Sequence, residues 1–128
     1  MSKIITIPDH YDYKEGVYDL DSLFTYTSAN QPWASLPAEV ELFAAVMGEN
    51  DDRDWFWIFG YDGKFYNAQG GCDYTGWDCQ SWGQTSVWPT LNEAINAAPE
   101  VDDNRPIRRW LNEMAMGKRQ IGVVDDSS

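Results

Sequence analysis

The chain has 128 residues, 43% hydrophobic and 15% aromatic, with 9 Lys and Arg against 21 Asp and Glu for a formal charge of −12. That length suits one domain, and the apolar content is enough to offset the ordering entropy that keeps weakly hydrophobic, highly charged chains unfolded, so residues 1–128 are expected to form a single folded domain. The negative field argues against direct contact with nucleic acid or an anionic membrane, and makes a basic surface the expected partner.

Charge is unevenly spread. Residues 1–104 hold four basic and 18 acidic side chains, residues 105–119 hold five basic and one acidic, and Asp125 and Asp126 close an acidic tail expected to be disordered over 125–128. No apolar stretch approaches the roughly 18 residues that span a bilayer, and Met1 to Pro8 lacks the regions of a secretion signal, so a cytoplasmic location is expected. Two cysteines, Cys72 and Cys79, are too few for a disulfide framework.

In chain order, Lys3-Ile4-Ile5-Thr6-Ile7 reads as a strand stopped by Pro8. Residues 9–21 interleave five acids with Tyr11, Tyr13, Val17 and Tyr18 without a period and read as loop, with a short helix over 22–26. Ser35 as a cap, Pro37 in the first turn, and Val40, Phe43, Ala44 and Met47 at helical spacing predict a helix that Gly48 ends. An acidic turn over 49–54 leads to Trp55-Phe56-Trp57-Ile58-Phe59, a strand apolar on both faces. Asp62-Gly63 then marks a hairpin turn, with Phe65 to Ala68 returning.

Residues 69–89 have four glycines and three tryptophans without a period and read as a long aromatic loop, with one further strand around 84–87. Thr90-Leu91-Asn92-Glu93 is a capping box for a helix ending at Pro99. Asn104 is expected to cap a last helix whose core stripe is Ile107, Trp110, Leu111 and Met114, whose outer face carries Arg105, Arg108 and Arg109, and which Gly117 ends. The expected fold class is α+β: a small antiparallel sheet, including the 55–68 hairpin, packed against two to four helices.

The densest cluster of chemistry-bearing residues is Gly70 to Trp82. Cys72 and Cys79 with Asp73 and Asp78 could in principle ligate zinc, but the cysteine spacing is poor and His10 is the sole imidazole, so no metal or cofactor is expected. A disulfide across this loop would require a close approach of the two Cα atoms, and buried free thiols are the commoner state. No base is marked as a partner for a cysteine nucleophile, and the glycines lack the Lys-Ser or Lys-Thr of a phosphate cradle. The chain is therefore expected not to be an enzyme.

The segment Gly70-Gly71-Cys72-Asp73-Tyr74-Thr75-Gly76-Trp77-Asp78-Cys79-Gln80-Ser81, after the aromatic hairpin, resembles short segments of small bacterial and bacteriophage proteins to which no function attaches. The similarity covers about residues 55–98 and carries no site residue over. It implies at most an inhibitor of host machinery or of a defence system, some such proteins imitating the phosphate charge of DNA.

The expected function is that of an acidic interaction protein docking on a basic surface of a larger complex, with the acidic side chains from Asp9 to Asp21 and from Glu49 to Asp54, Asp51, Asp52 and Asp54 among them, as charge donors and Asp73, Tyr74, Trp77, Asp78 and Trp82 as the contact loop. The alternative is a small-ligand or saccharide-binding module, or a weak hydrolase, using residues 73–82. The sequence leaves the oligomeric state open.

Overall fold

The computed structural model describes residues 3–6, 39–48, 53–73 and 80–121. They form an α+β fold: a sheet of five antiparallel strands, β1 (Lys3–Thr6), β2 (Glu39–Val46), β3 (Trp55–Tyr61), β4 (Lys64–Asp73) and β5 (Gln80–Trp88), then helices α1 (Leu91–Asn96) and α2 (Ile107–Ala115). Spatial order follows chain order, which places β3 in the middle.

The β3 sequence explains that place. Trp55, Trp57 and Phe59 alternate with Phe56 and Ile58, and all five are buried, so both faces of the strand need cover. Burial of each such side chain contributes about 1.5–3 kcal/mol, which makes β3 the chief apolar anchor of the sheet. On one face Trp55, Trp57 and Phe59 pack with Val40, Leu42, Ala45, Tyr66 and Ala68. The rings of Phe59 and Tyr66, opposite each other in the ladder, stack with centroids 5.2 Å apart. On the other face Phe56 and Ile58 join Ala44 and Val46, and α1 and α2 cover them with Ala94, Ile95, Ile107, Trp110, Leu111 and Met114.

The β3–β4 hairpin turns through Asp62 (φ 53°) and Gly63 (φ 75°), the two consecutive positive φ angles that match the twist of a two-residue hairpin. Thr90 caps α1 as its sequence predicts: its Oγ1 accepts from the Glu93 backbone N–H at 3.2 Å and donates to Glu93 Oε1 at 2.8 Å.

Four expectations are corrected. The helix expected to start at Ser35 is instead strand β2 from Glu39 to Val46, and residues 35–38 lie outside the described residues. A register shift between Leu42 and Ala44 makes Phe43 an extra residue, so Val40 and Leu42 face one cluster while Phe43, Ala44 and Val46 face the other. With both faces buried and the phase broken, apolar residues fall at 40, 43, 44 and 47 by accident of the bulge, imitating a helical period.

Within the expected loop over 69–89, residues 69–73 and 80–88 are strand, β4 continuing to Asp73 and β5 returning from Gln80 in unbroken register from Phe65↔Trp88 to Asp73↔Gln80, so the strand expected around 84–87 is part of a longer one; residues 74–79 lie outside the described residues. Asn104 does not cap α2 but lies at φ 69° beside Asp103 at φ 53°, forming a tight reversal in which Asp102 and Arg105 exchange backbone hydrogen bonds of 2.8 and 2.7 Å. The first N–H groups of α2 are met instead by carbonyls, Ile107 by Arg105 at 2.9 Å and Arg108 by Pro99 at 3.1 Å. Finally, Arg105 is not on an outer face; it is 4% exposed. The expected helix over 22–26 and the loop over 9–21 lie outside the described residues.

Candidate functional site

The ladder brings three of the candidate residues, Asp54, Asp73 and Trp82, to one end of the sheet. Trp55, which follows Asp54, pairs with Gly70; three residues further on, β4 ends at Asp73 opposite Gln80, with Gly71 opposite Trp82. Because β2 runs antiparallel to β3, Val46 pairs with Phe56 and Gly48 reaches the same end. Asp54, Asp73 and the backbone of Trp82 therefore share this end. Tyr74, Trp77 and Asp78, in the connection of the β4–β5 hairpin, and Asp51 and Asp52, between Gly48 and Arg53, lie outside the described residues, as do His10 and Cys79.

The buried guanidinium of Arg105 organises this end. Its Nη1 donates to the carbonyl oxygen of Met47 at 2.9 Å, and its Nη2 to the carbonyl oxygen of Asp54 at 3.0 Å. Nη2 also approaches Asp102 Oδ2 at 3.1 Å and Asp103 Oδ2 at 3.5 Å. The exit of β2, the entry of β3 and the reversal at 102–105 are thus held by one side chain. Asp54 is further engaged by its carboxylate, whose Oδ2 accepts from Gln69 Nε2 at 2.7 Å.

Two carboxylates on one guanidinium leave a surplus of negative charge. Desolvation by burial raises the pKa of Asp102 above the ordinary aspartate value, the Asp103 carboxyl adds to the rise, and the hydrogen bond from Arg105 opposes it. Arg105 points its charge inward while acidic groups surround it, so its contribution to the outer field is small.

The basic residues near α2 are largely engaged within the molecule. Arg108 Nε donates to the Ala98 carbonyl at 3.0 Å, and its Nη1 lies 3.3 Å from Glu100. Arg119 pairs with Glu113 at 2.9 Å and lies over the Trp110 ring, 5.4 Å from its centroid. These contacts fit a solvated helix face that complements acidic neighbours.

Between α1 and α2 lies an open cleft of about 360 Å³, lined by Asn92, Ile95, Asn96, Glu100, Arg108, Arg109 and Asn112. None of the candidate residues lines it. The sequence signal was available, since Asn92 and Asn96 are four apart on one helical face, but nothing in their spacing distinguishes a binding cleft from a polar surface.

Among the described residues, no three His, Cys, Asp or Glu side chains are grouped to hold a metal ion. No helix among them is long and apolar enough to cross a membrane. Comparison with protein-family models, with curated proteins and with solved structures finds no match to this chain.

Proposed function

We propose that the protein is a non-enzymatic interaction protein that docks its acidic surface onto a basic surface of a larger complex, as an inhibitor. The observation that carries this reading is the acidic end of the sheet. Asp54, Asp73, Asp102 and Asp103 belong to it, Glu49, Asp51 and Asp52 lie in the four-residue connection between Gly48 and Arg53, and the nearby Arg105 is turned inside. An opposing basic surface would be steered to this end by charge, and Tyr74, Trp77 and Trp82 would supply aromatic contact.

A host nucleic-acid-handling or defence complex is the kind of partner that presents such a basic surface, and carboxylates in place of phosphates would make the protein a DNA mimic. On this reading it works in the bacterial cytoplasm, with a bacteriophage as its source, and itself binds neither nucleic acid nor membrane.

The test is affinity capture from bacterial extract with the wild type and with Asp51→Asn/Asp52→Asn/Asp73→Asn, each checked for fold by circular dichroism. A basic protein retained by the wild type and lost from the folded variant is expected. Equal capture by both would overturn the acidic-end assignment. Replacing Asp73 and Asp78 with Asn tests the saccharide or hydrolase alternative, which requires a loss of sugar binding or turnover while partner capture stays intact.

A further inference from the structure

The cleft between α1 and α2 is lined only by described residues, and none of the acidic-end residues belongs to it. One wall is the face of α1 that carries Asn92 and Asn96, one helical turn apart; the other is α2, with Arg108, Arg109 and Asn112. Ile95, 4% exposed, gives the lining its apolar part.

The two walls are fastened to each other and to the sheet. The backbone N–H of Arg108 donates to the Pro99 carbonyl at 3.1 Å and its Nε to the Ala98 carbonyl at 3.0 Å, which ties the first turn of α2 to the exit of α1. Asn67 Nδ2 donates to the Ala94 carbonyl at 3.0 Å and ties α1 to β4. The cleft of about 360 Å³ therefore lies between anchored elements, and its size falls at the lower end of the roughly 300–1,000 Å³ of small-molecule sites.

Its lining holds polar groups that the fold does not use. Asparagine is among the weaker helix formers, yet three line this cleft, and among the described residues their side-chain amides make no internal hydrogen bond. Arg105, Arg108 and Arg119 pair with carboxylates, whereas Arg109 is exposed and has no carboxylate partner among the described residues, in a chain with 21 acids.

These groups select a ligand by their chemistry. A primary amide offers a donor and an acceptor side by side, which matches the N–H and C=O of a secondary amide. A guanidinium fork matches a carboxylate. Charge separates carboxylate from phosphate: two arginines against one glutamate leave the lining at +1, so a monoanion neutralises it, while a dianion leaves an excess in a molecule already at −12. The lining has no aromatic ring on which a sugar or a base could stack.

We propose that this cleft binds a carboxylate that carries an adjacent secondary amide and a short apolar side chain, the chemistry shared by an N-acyl amino acid and a peptide C-terminus. Arg109 receives the carboxylate, Asn92, Asn96 and Asn112 meet the amide, and Ile95 takes the apolar group. Arg108, held by Ala98 and Glu100, shapes the wall. The site shares no residue with the acidic end, so the two readings stand or fall separately.

The test is a titration of the full chain with N-acetylvaline, followed by ¹H–¹⁵N NMR up to about 20 mM. Saturable shifts confined to α1 and α2 and to the side-chain amides of the three asparagines are expected, with a dissociation constant of about 1 mM or below. Arg109→Gln should weaken binding about tenfold or more, and Arg109→Lys, which keeps charge without the fork, about threefold. Asn96→Ala removes an amide while improving helix propensity, so it should weaken binding with no loss in urea midpoint. The uncharged N-acetylvaline amide should bind at least tenfold more weakly than the acid, and inorganic phosphate no better than the acid. A hexapeptide ending in valine separates the two sources: binding equal to or tighter than that of N-acetylvaline supports the site as a peptide C-terminus site, and exclusion supports it as a small-molecule site. No saturable shift, shifts that Arg109→Gln leaves unchanged, or equal binding of acid and amide would overturn the proposal.

Discussion

Arg105 Nη2 donates a 3.0 Å hydrogen bond to the backbone carbonyl of Asp54, 51 residues earlier in the chain. This contact fastens the entry of the central strand to the reversal that starts the last helix, and with the Met47 carbonyl it makes a side chain of the basic segment the interior tie of the acidic end.

Replacing Arg105 with Leu leaves two carbonyls and two carboxylates without their shared donor. Loss of one member of a buried charged network costs about 3–5 kcal/mol, so Arg105→Leu should lower the urea unfolding free energy by about 3 kcal/mol. Arg105→Lys keeps the charge but not the two-nitrogen fork, and should recover less than half of the loss.

Asp102 gives a pH dependence whose sign follows from its raised pKa. A folded pKa above the unfolded value means that the native state takes up the proton first. The contribution of Asp102 to stability is therefore full below its unfolded pKa, near 3.9, and is lost as pH rises through the folded pKa. Relative to Asp102→Asn, which cannot titrate, the wild type should gain stability on acidification from pH 7 to about pH 4. Urea midpoints for the two proteins at both pH values check this; a wild type that loses ground to the variant on acidification would contradict it.

Gly63 sits at φ 75° with nothing within 4 Å of where a Cβ would stand. Gly63→Ala therefore carries only the backbone cost of the left-handed region, about 1 kcal/mol, measurable as a shift in urea midpoint without a change in slope.

Gly48 is constrained for the opposite reason. Its Cβ would collide with the carbonyl of Arg53 and lie 2.7 Å from the carbonyl carbon of Asp54, both backbone atoms held near the Arg105 tie. Gly48→Ala should cost about 1–3 kcal/mol, and this loss should shrink in the Arg105→Leu background, where the tie is already absent.

The legible parts of the fold are those whose cause is local. Asp62-Gly63 announces its turn, Thr90 and Glu93 their helix start, and Ile107, Trp110, Leu111 and Met114 a buried helical stripe, all of them present. β2 was illegible because the bulge at Phe43 and burial of both faces erase alternation, and Gly48, read as a helix stop, answers to the close approach of Arg53 and Asp54. β5 was legible only around 84–87, because Gln80-Ser81-Trp82-Gly83 has neither alternation nor a turn signal and only its pairing with β4 defines its start. Arg105 follows another rule: Asp103 and Asn104 tolerate positive φ, and a tight reversal there turns Arg105 inward, a signal present in the sequence as Asp-Asp-Asn-Arg. At the candidate site, strand register joins Asp54 to Asp73, a relation that no local pattern encodes.

The most direct measurement of the central claim is the dissociation constant for the captured basic partner, by titration calorimetry at 50 and 200 mM salt. Docking through the acidic end predicts affinity that falls by about tenfold or more across that range, because screening weakens the attraction between the two surfaces. An affinity that is unchanged or rises with salt would contradict it.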